Sequence, residues 1–192
     1  ELEGRAGLLA GLALEGVIAG LHLEGPFLSP ARSGAQDPRH MLAPDAAVFE
    51  RLHAAARGQL RILTLAPELP GADALIRRLR DRGVVVSAGH TNATATEANR
   101  GFDQGITGLT HVFNAMRPLR SRDPGVAGVA LTRLDVIVKV IVDGQHLASE
   151  VVKLVWACAA GRVVRITDAR GAAGAPPESR ASGGTFRFGE VE

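Results

Sequence analysis

The feature that most constrains this chain is a rhythm. Six short apolar runs recur along it, and each ends near a side chain able to do chemistry. The runs are residues 17–23 (VIAGLHL), 61–65 (RILTL), 84–88 (VVVSA), 106–110 (ITGLT), 136–142 (VIVKVIV) and 163–167 (VVRIT). Most are near-continuously apolar rather than alternating, which suits strands covered on both faces. Helical patterns lie between them. Residues 72–82 set Leu75, Ile76 and Leu79 on one face and Arg77, Arg78, Arg80 and Arg82 elsewhere, and Gly83 closes the segment. Residues 95–102 form a shorter helix pattern, and residues 45–56 form another after Pro44. Residues 149–160 open on a capping Ser149 and place Val151, Val152, Val155 and Ala159 on one stripe. Strand then helix, repeated, predicts a parallel α/β sheet.

The strand-end residues are Glu24, Glu68, His90, His111, Asp143 with His146, and Asp168. Counted through Asp143, they are 44, 22, 21, 32 and 25 residues apart. That is about one strand–helix unit per step. In a parallel sheet the C-terminal ends share one rim, and a (β/α)8 barrel gathers its catalytic residues there. An open doubly wound sheet is the competitor. It would carry a glycine-rich phosphate turn after its first strand, and GPFLSPARSG is not one.

Composition removes several function classes. Lys and Arg number 22 against 20 Asp and Glu, a net charge of +2, and no stretch concentrates basic and aromatic residues. That argues against a nucleic-acid partner. A single cysteine, Cys158, excludes an intrachain disulfide and a thiolate metal cluster. It sits in VVKLVWACAA and reads as a small core residue. No run reaches the roughly 18 apolar residues of a membrane span. The opening ELEGRAGLLAGLALEG lacks the basic region of a secretory signal, so a cytoplasmic location is expected. An apolar content of 46% suffices for a buried core.

Glu24, His90 and His111 form the sharpest set. One carboxylate and two imidazoles suit a catalytic zinc or similar ion, with a position left for water. They come from separate strand ends, and the pattern equally allows His90 to cap a helix, His111 to be a satisfied core histidine and Glu24 to pair with an arginine. Asp168 can relay a proton between water and a leaving group, or cap the following segment. His146, past a strand end where Gly144 permits a tight turn, either binds substrate or lies exposed. Asp143 reads as a turn former. His22 shares a strand face with Glu24 and reads as an interior packing residue; His40 and His53 read as surface residues. Arg117, Arg120 and Arg122 cluster in RPLRSRDPG, where they suit a phosphate or simply a solvated loop.

Six motifs carry a resemblance: GLHLEGPFLSP (20–30), LAPE (65–68), GHTNAT (89–94), THVFNAM (110–116), DGQH (143–146) and TDA (167–169). In this order they resemble the N-acetylglucosamine-6-phosphate deacetylase family of the amidohydrolase superfamily, over nearly the whole chain to about residue 176. The resemblance implies a metal-dependent (β/α)8 TIM barrel and hydrolysis of the acetamide of N-acetylglucosamine 6-phosphate. It implies a divalent ion, zinc first with iron, manganese or cobalt as alternatives, on Glu24, His90 and His111. It further implies Asp168 as the catalytic aspartate and His146 as a contact to the sugar. Asn114 and Ala115 would form the phosphate loop, and Arg122 would reach the phosphate across a homodimer. Gln36 falls near substrate and metal.

Departures from the family matter as well. Only its third to eighth strands are matched. The first two strands, the H-x-H motif and the small β-sandwich domain are not found, and Arg170 stands where a smaller or apolar residue is expected. The chain thus reads as an interior fragment. Residues 1–176 form a partial catalytic barrel of about six of eight units, and residues 177–192 form a tail leading to a missing segment. In that tail, 185–191 reads as the start of another strand. Six strands leave two open edges, so the bare chain is expected to lack appreciable turnover. A cyclic-amide hydrolase of the same barrel is the rival enzyme, but RILTLAPE offers no lysine to bridge metals. A truncated, non-catalytic remnant is the rival outside enzymes.

Overall fold

The computed structural model describes residues 1–169. The strand start expected at 185–191 and the tail assigned to 177–192 lie outside those residues. Six parallel strands form one sheet: β1 (Leu21–Glu24), β2 (Leu60–Leu65), β3 (Val85–Ala88), β4 (Ile106–Leu109), β5 (Ile137–Ile141) and β6 (Val163–Ile166). Their spatial order is their sequence order, as stepwise right-handed crossovers produce and as the barrel reading requires. All six expected strands are present. The first is shifted: residues 15–20 form turns and bends, Val17 is exposed, and pairing begins only where the Leu21 N–H donates to the Gln59 carbonyl.

The expected helices appear as α2 (Ala46–Ala55), α3 (Ala72–Asp81), α4 (Ala95–Gln104) and α6 (Ser149–Cys158). Asp45 caps α2 by accepting from Ala47 and Val48 N–H, and Thr94 and Glu97 form a reciprocal capping box on α4. Two further helices carry no amphipathic signal. In α1 (Leu2–Leu14) only Ala6 and Ala10 are buried, and leucines surround the axis. In α5 (Gly125–Thr132) six of eight residues are buried, so the segment is apolar all round and shows no helical period. On α6 the expected stripe is fully buried at Val155 and Ala159 but half-buried at Val151 and Val152, and Ser149, expected as its cap, lies inside the helix and makes no capping hydrogen bond. Cys158 lies off that stripe and is exposed, which corrects its reading as a core residue. His40 is exposed as expected, whereas His53 is half-buried with its ring 5.4 Å from that of Phe49.

The core between sheet and helices contains Phe27, Phe49, Leu63, Leu65, Ile76 and Leu79, all essentially inaccessible. Each such side chain contributes about 1.5–3 kcal/mol on burial. The other face of the sheet carries a polar layer of Thr64, Ser87, Thr110 and Lys139, all buried. His22 joins it, bonded through Nε2 to Thr64 Oγ1 at 2.7 Å. It therefore lies on the interior face as expected, but much of its ring is open. This layer needs glycine at position 89: a Cβ there would stand 2.6 Å from Thr64 Cγ2 and 3.0 Å from Thr110 Cβ. Gly89→Ala is therefore expected to destabilise the protein by about 1–3 kcal/mol, as overpacking does, read as a lower urea midpoint. Gly4→Ala, in α1 with nothing within 4 Å of its Cβ, is the control and should be neutral or slightly stabilising.

Candidate metal centre at the strand ends

Glu24 is the last residue of β1. Its Oε1 lies 2.8 Å from His111 Nε2 and 3.1 Å from His90 Nε2, and the two nitrogens are 3.1 Å apart. Both imidazoles are almost fully buried. The His90 Nδ1–H donates to the Arg32 carbonyl at 3.0 Å, so its Nε2 presents a lone pair. Glu24 Oε2 accepts from Gln36 Nε2–H at 2.8 Å, which turns Oε1 toward the histidines. One carboxylate oxygen and two imidazole nitrogens thus crowd one point, and these three residues form a group with metal-ligand spacing. Donor atoms held at about 2.0–2.1 Å by one tetrahedral ion would themselves be a little over 3 Å apart. The donor set and the backbone carbonyl that orients His90 both fit such an ion.

Among the described residues His90 caps no helix, Glu24 pairs with no arginine, and the buried Nδ1 of His111 has no partner. Burial alone would raise the Glu24 carboxyl, but the facing imidazoles outweigh it and hold the group well below the usual carboxylate range. The backbone at the rim is unusual. His90, His111, Phe113, Ala115 and Asp168 all have φ between 31° and 71°. Such strained conformations persist only where the surroundings enforce them.

Supporting contacts explain the placement. Glu68 is not at the centre: its carboxylate accepts from Thr91 Oγ1–H and from the Asn92 N–H, and so ties down the loop after His90. Gly34, at φ +55°, lets the Arg32–Gln36 turn approach closely, since a Cβ there would be 3.1 Å from Ala115 Cβ and 3.2 Å from His90 Cε1. The Ala115 carbonyl accepts the Thr91 N–H at 3.2 Å, and Asn114 Nδ2 donates to the carbonyls of His111 and Val112, both at 3.3 Å. The phosphate-loop candidates are therefore continuous with a metal-ligand candidate.

The remaining candidates stand apart. Asp168 follows β6 and is exposed, with no hydrogen bond or ion pair to the triad among the described residues. His146 is exposed and its Nδ1 lies 2.7 Å from Asp143 Oδ2. Asp143 is the expected turn former: it accepts the His146 and Gln145 N–H groups, which hold its carboxyl down at about 2. Arg122 is exposed in a turn closed by backbone hydrogen bonds exchanged between Arg120 and Asp123. Arg117 instead pairs with Asp123 at 2.7 Å and braces that turn.

Comparison with known proteins places this geometry. The family model described as "Amidohydrolase family" matches residues 4–187. This chain belongs to the amidohydrolase family. An N-acetylgalactosamine-6-phosphate deacetylase of Escherichia coli O157:H7 is 38% identical over 159 residues, which is 83% of this chain and 42% of that protein. An N-acetylglucosamine-6-phosphate deacetylase of Bacillus subtilis (strain 168) is 37% identical over 158 residues, 82% of this chain and 40% of that protein. The crystal structure of N-acetyl-D-glucosamine-6-phosphate deacetylase from Mycobacterium smegmatis superposes with a TM-score of 0.87 at 41% identity, covering 90% of this chain and 46% of that one. The chain thus spans about two fifths of the length of the curated relatives it matches.

Within this amidohydrolase, sequence reasoning missed Arg32, whose carbonyl orients His90, and Lys139, buried on the interior face. Arg32 left no signal, because its backbone does the work. Lys139 did leave one, as the lone charge inside VIVKVIV. His111→Ala is expected to lose bound divalent metal on elemental analysis of the folded protein. Gln36→Ala should retain the site with metal affinity weakened roughly 10- to 100-fold, as loss of such a supporting partner typically does.

Proposed function

We propose that this chain forms the catalytic-barrel portion of an N-acetylglucosamine-6-phosphate deacetylase. The observation that carries the reading is the convergence of Glu24, His90 and His111, with Gln36 braced behind them. The relatives supply the substrate class: a structure of the Mycobacterium smegmatis enzyme, as its D267A mutant, is described as a complex with N-acetyl-D-glucosamine-6-phosphate. The reaction is hydrolysis of the acetamide to acetate and glucosamine 6-phosphate. A phosphorylated sugar does not cross a membrane unaided, so a cytoplasmic location goes with this substrate. No helix among the described residues is long and apolar enough to cross a membrane.

Amides resist water because the nucleophile is weak and the amine leaves poorly. Glu24, His90 and His111 would hold a divalent ion, zinc first, which when bound would supply an acidified water at neutral pH and a Lewis acid for the acetamide oxygen. Asp168, exposed at the end of its strand, accepts the proton of the attacking water and returns it to the departing nitrogen. Asp143 holds the Nδ1–H of His146, which leaves Nε2 to accept from a sugar hydroxyl and orient the ring. The phosphate is bound away from the reacting bond, where its binding energy fixes geometry. The Ala115 N–H has no hydrogen-bond partner among the described residues, and it meets one phosphate oxygen. Arg122, on its exposed turn, reaches the phosphate of a neighbouring subunit in a homodimer.

Asp168→Asn is expected to keep its metal while turnover falls by about 10²–10⁴-fold; half-normal turnover would remove Asp168 from the mechanism. Arg122→Ala should lower kcat/KM for the phosphorylated sugar roughly 10- to 100-fold, the usual loss of a charged hydrogen bond. N-acetylglucosamine itself should be little affected. Mixing Arg122→Ala with Asp168→Asn subunits should restore part of the activity if the arginine acts across a dimer. The galactosamine relative supports a second reading, in which the 4-epimer is the substrate; kcat/KM for the two sugar phosphates decides between them.

A further inference from the structure

Twenty of the 22 basic residues are arginine, and only Lys139 and Lys153 are lysine. Lys139 is buried near the middle of β5, at 9% exposure. Its ammonium donates to Ser87 Oγ at 3.2 Å. Ser87 Oγ lies 2.7 Å from Thr110 Oγ1, which lies 2.9 Å from Thr64 Oγ1, which in turn lies 2.7 Å from His22 Nε2. Five side chains, from β5, β3, the end of β4, β2 and β1, thus form one line across the interior face. The line runs next to the metal-ligand candidates, since Thr110 precedes His111 and His22 is two residues before Glu24.

The direction of this chain is determined by its first member. An ammonium has donors only, so Ser87 Oγ must accept from it. Ser87 is fully buried, and leaving its single proton without a partner would cost about 1–3 kcal/mol. Its remaining neighbour is Thr110, so it donates there. Thr110 then donates to Thr64, and Thr64 donates to His22 Nε2. Every O–H dipole turns its positive end toward β1, the strand that carries Glu24, and aligned links of this kind reinforce one another. Burial lowers the Lys139 amine to about 8, with Glu24 opposing the shift, so the group is still mainly charged at neutral pH.

We propose that Lys139 is a positioning residue: by fixing the direction of this chain it holds His22 as an Nδ1–H donor and lays an oriented row of dipoles beneath Glu24. Ordered dipoles already aligned before reaction need no reorganisation during it. An arginine could not take this position, because its broad planar head cannot end on a single buried hydroxyl as a slim ammonium does. The consequence for turnover rests on the deacetylase reading above, whereas the proton arrangement does not.

The test uses the complete protein with its histidines labelled with ¹⁵N. Long-range proton–nitrogen correlation spectra should show His22 as the neutral Nδ1–H tautomer. Lys139→Met should convert it to the Nε2–H form or to a mixture, and kcat should fall about tenfold with KM and metal content unchanged. Ser87→Ala cuts the same chain with the ammonium left in place, and it should give the same change should Lys139→Met fail to fold. A parent His22 protonated at Nε2, or a tautomer unchanged in the folded variants, overturns the proposal. An altered tautomer with parental kcat overturns the positioning role. If the parent hydrolyses neither sugar phosphate, the deacetylase reading fails, and the tautomer spectra still decide the direction of the chain.

Discussion

One carboxylate oxygen and two imidazole nitrogens meet at a single point on the rim, a donor set that suits a cation. Glu24 Oε1 and the Nε2 atoms of His90 and His111 are mutually within 3.1 Å, and the His90 proton is committed to the Arg32 carbonyl. Much of the surrounding structure maintains that arrangement. Gln36 occupies the other carboxylate oxygen, so Glu24 cannot rotate to satisfy both oxygens elsewhere. Glu68 ties down the loop after His90. The Val112 N–H, just past His111, donates to the Lys139 carbonyl at 2.8 Å, which carries the hydrogen bonding of β4 and β5 beyond the strand end. The strain in five left-handed rim residues is the local cost of aiming side chains inward from strands that would otherwise run on.

The parallel sheet makes this possible. Each crossover returns the chain to the same end, so residues 21, 66 and 87 positions apart in sequence meet at one rim. The register of β2 on β3 sets Thr64 beside Ser87, and that of β1 on β2 sets Glu24 beside Thr64. Glu24 thus shares a rung of the ladder with Thr64 and Ser87 of the polar interior layer. Glycine at 89 leaves room for Thr64 and Thr110 of that layer.

What the sequence disclosed follows from how each signal arises. Strands β2 to β6 were legible because an apolar run between turn residues has few other solutions, and α3 because four arginines mark its wet face. Helices α1 and α5 were not, since neither has two chemically different faces. The triad was legible as residue types at strand ends, but its convergence was not, because no local spacing links three separate strands. Cys158 misled because an apolar neighbourhood in sequence is not burial: its helix turns that side chain away from the stripe that packs. The roles of Arg32 and Gln36 depend on a backbone carbonyl and on the unused half of a carboxylate. Neither has a signature in composition or period.

Gly34 stands where two loops meet, with Ala115 on one side and the edge of the His90 ring on the other. The turn that contains it also offers the carbonyl that holds the His90 proton. Ala115, in turn, receives the Thr91 N–H one residue beyond His90. The turn after β1 therefore holds the His90 ring, and the loop after β4 holds the backbone one residue beyond it. Neither segment can shift without bearing on that histidine, so two loops far apart in sequence and the ring they hold act as one mechanical unit.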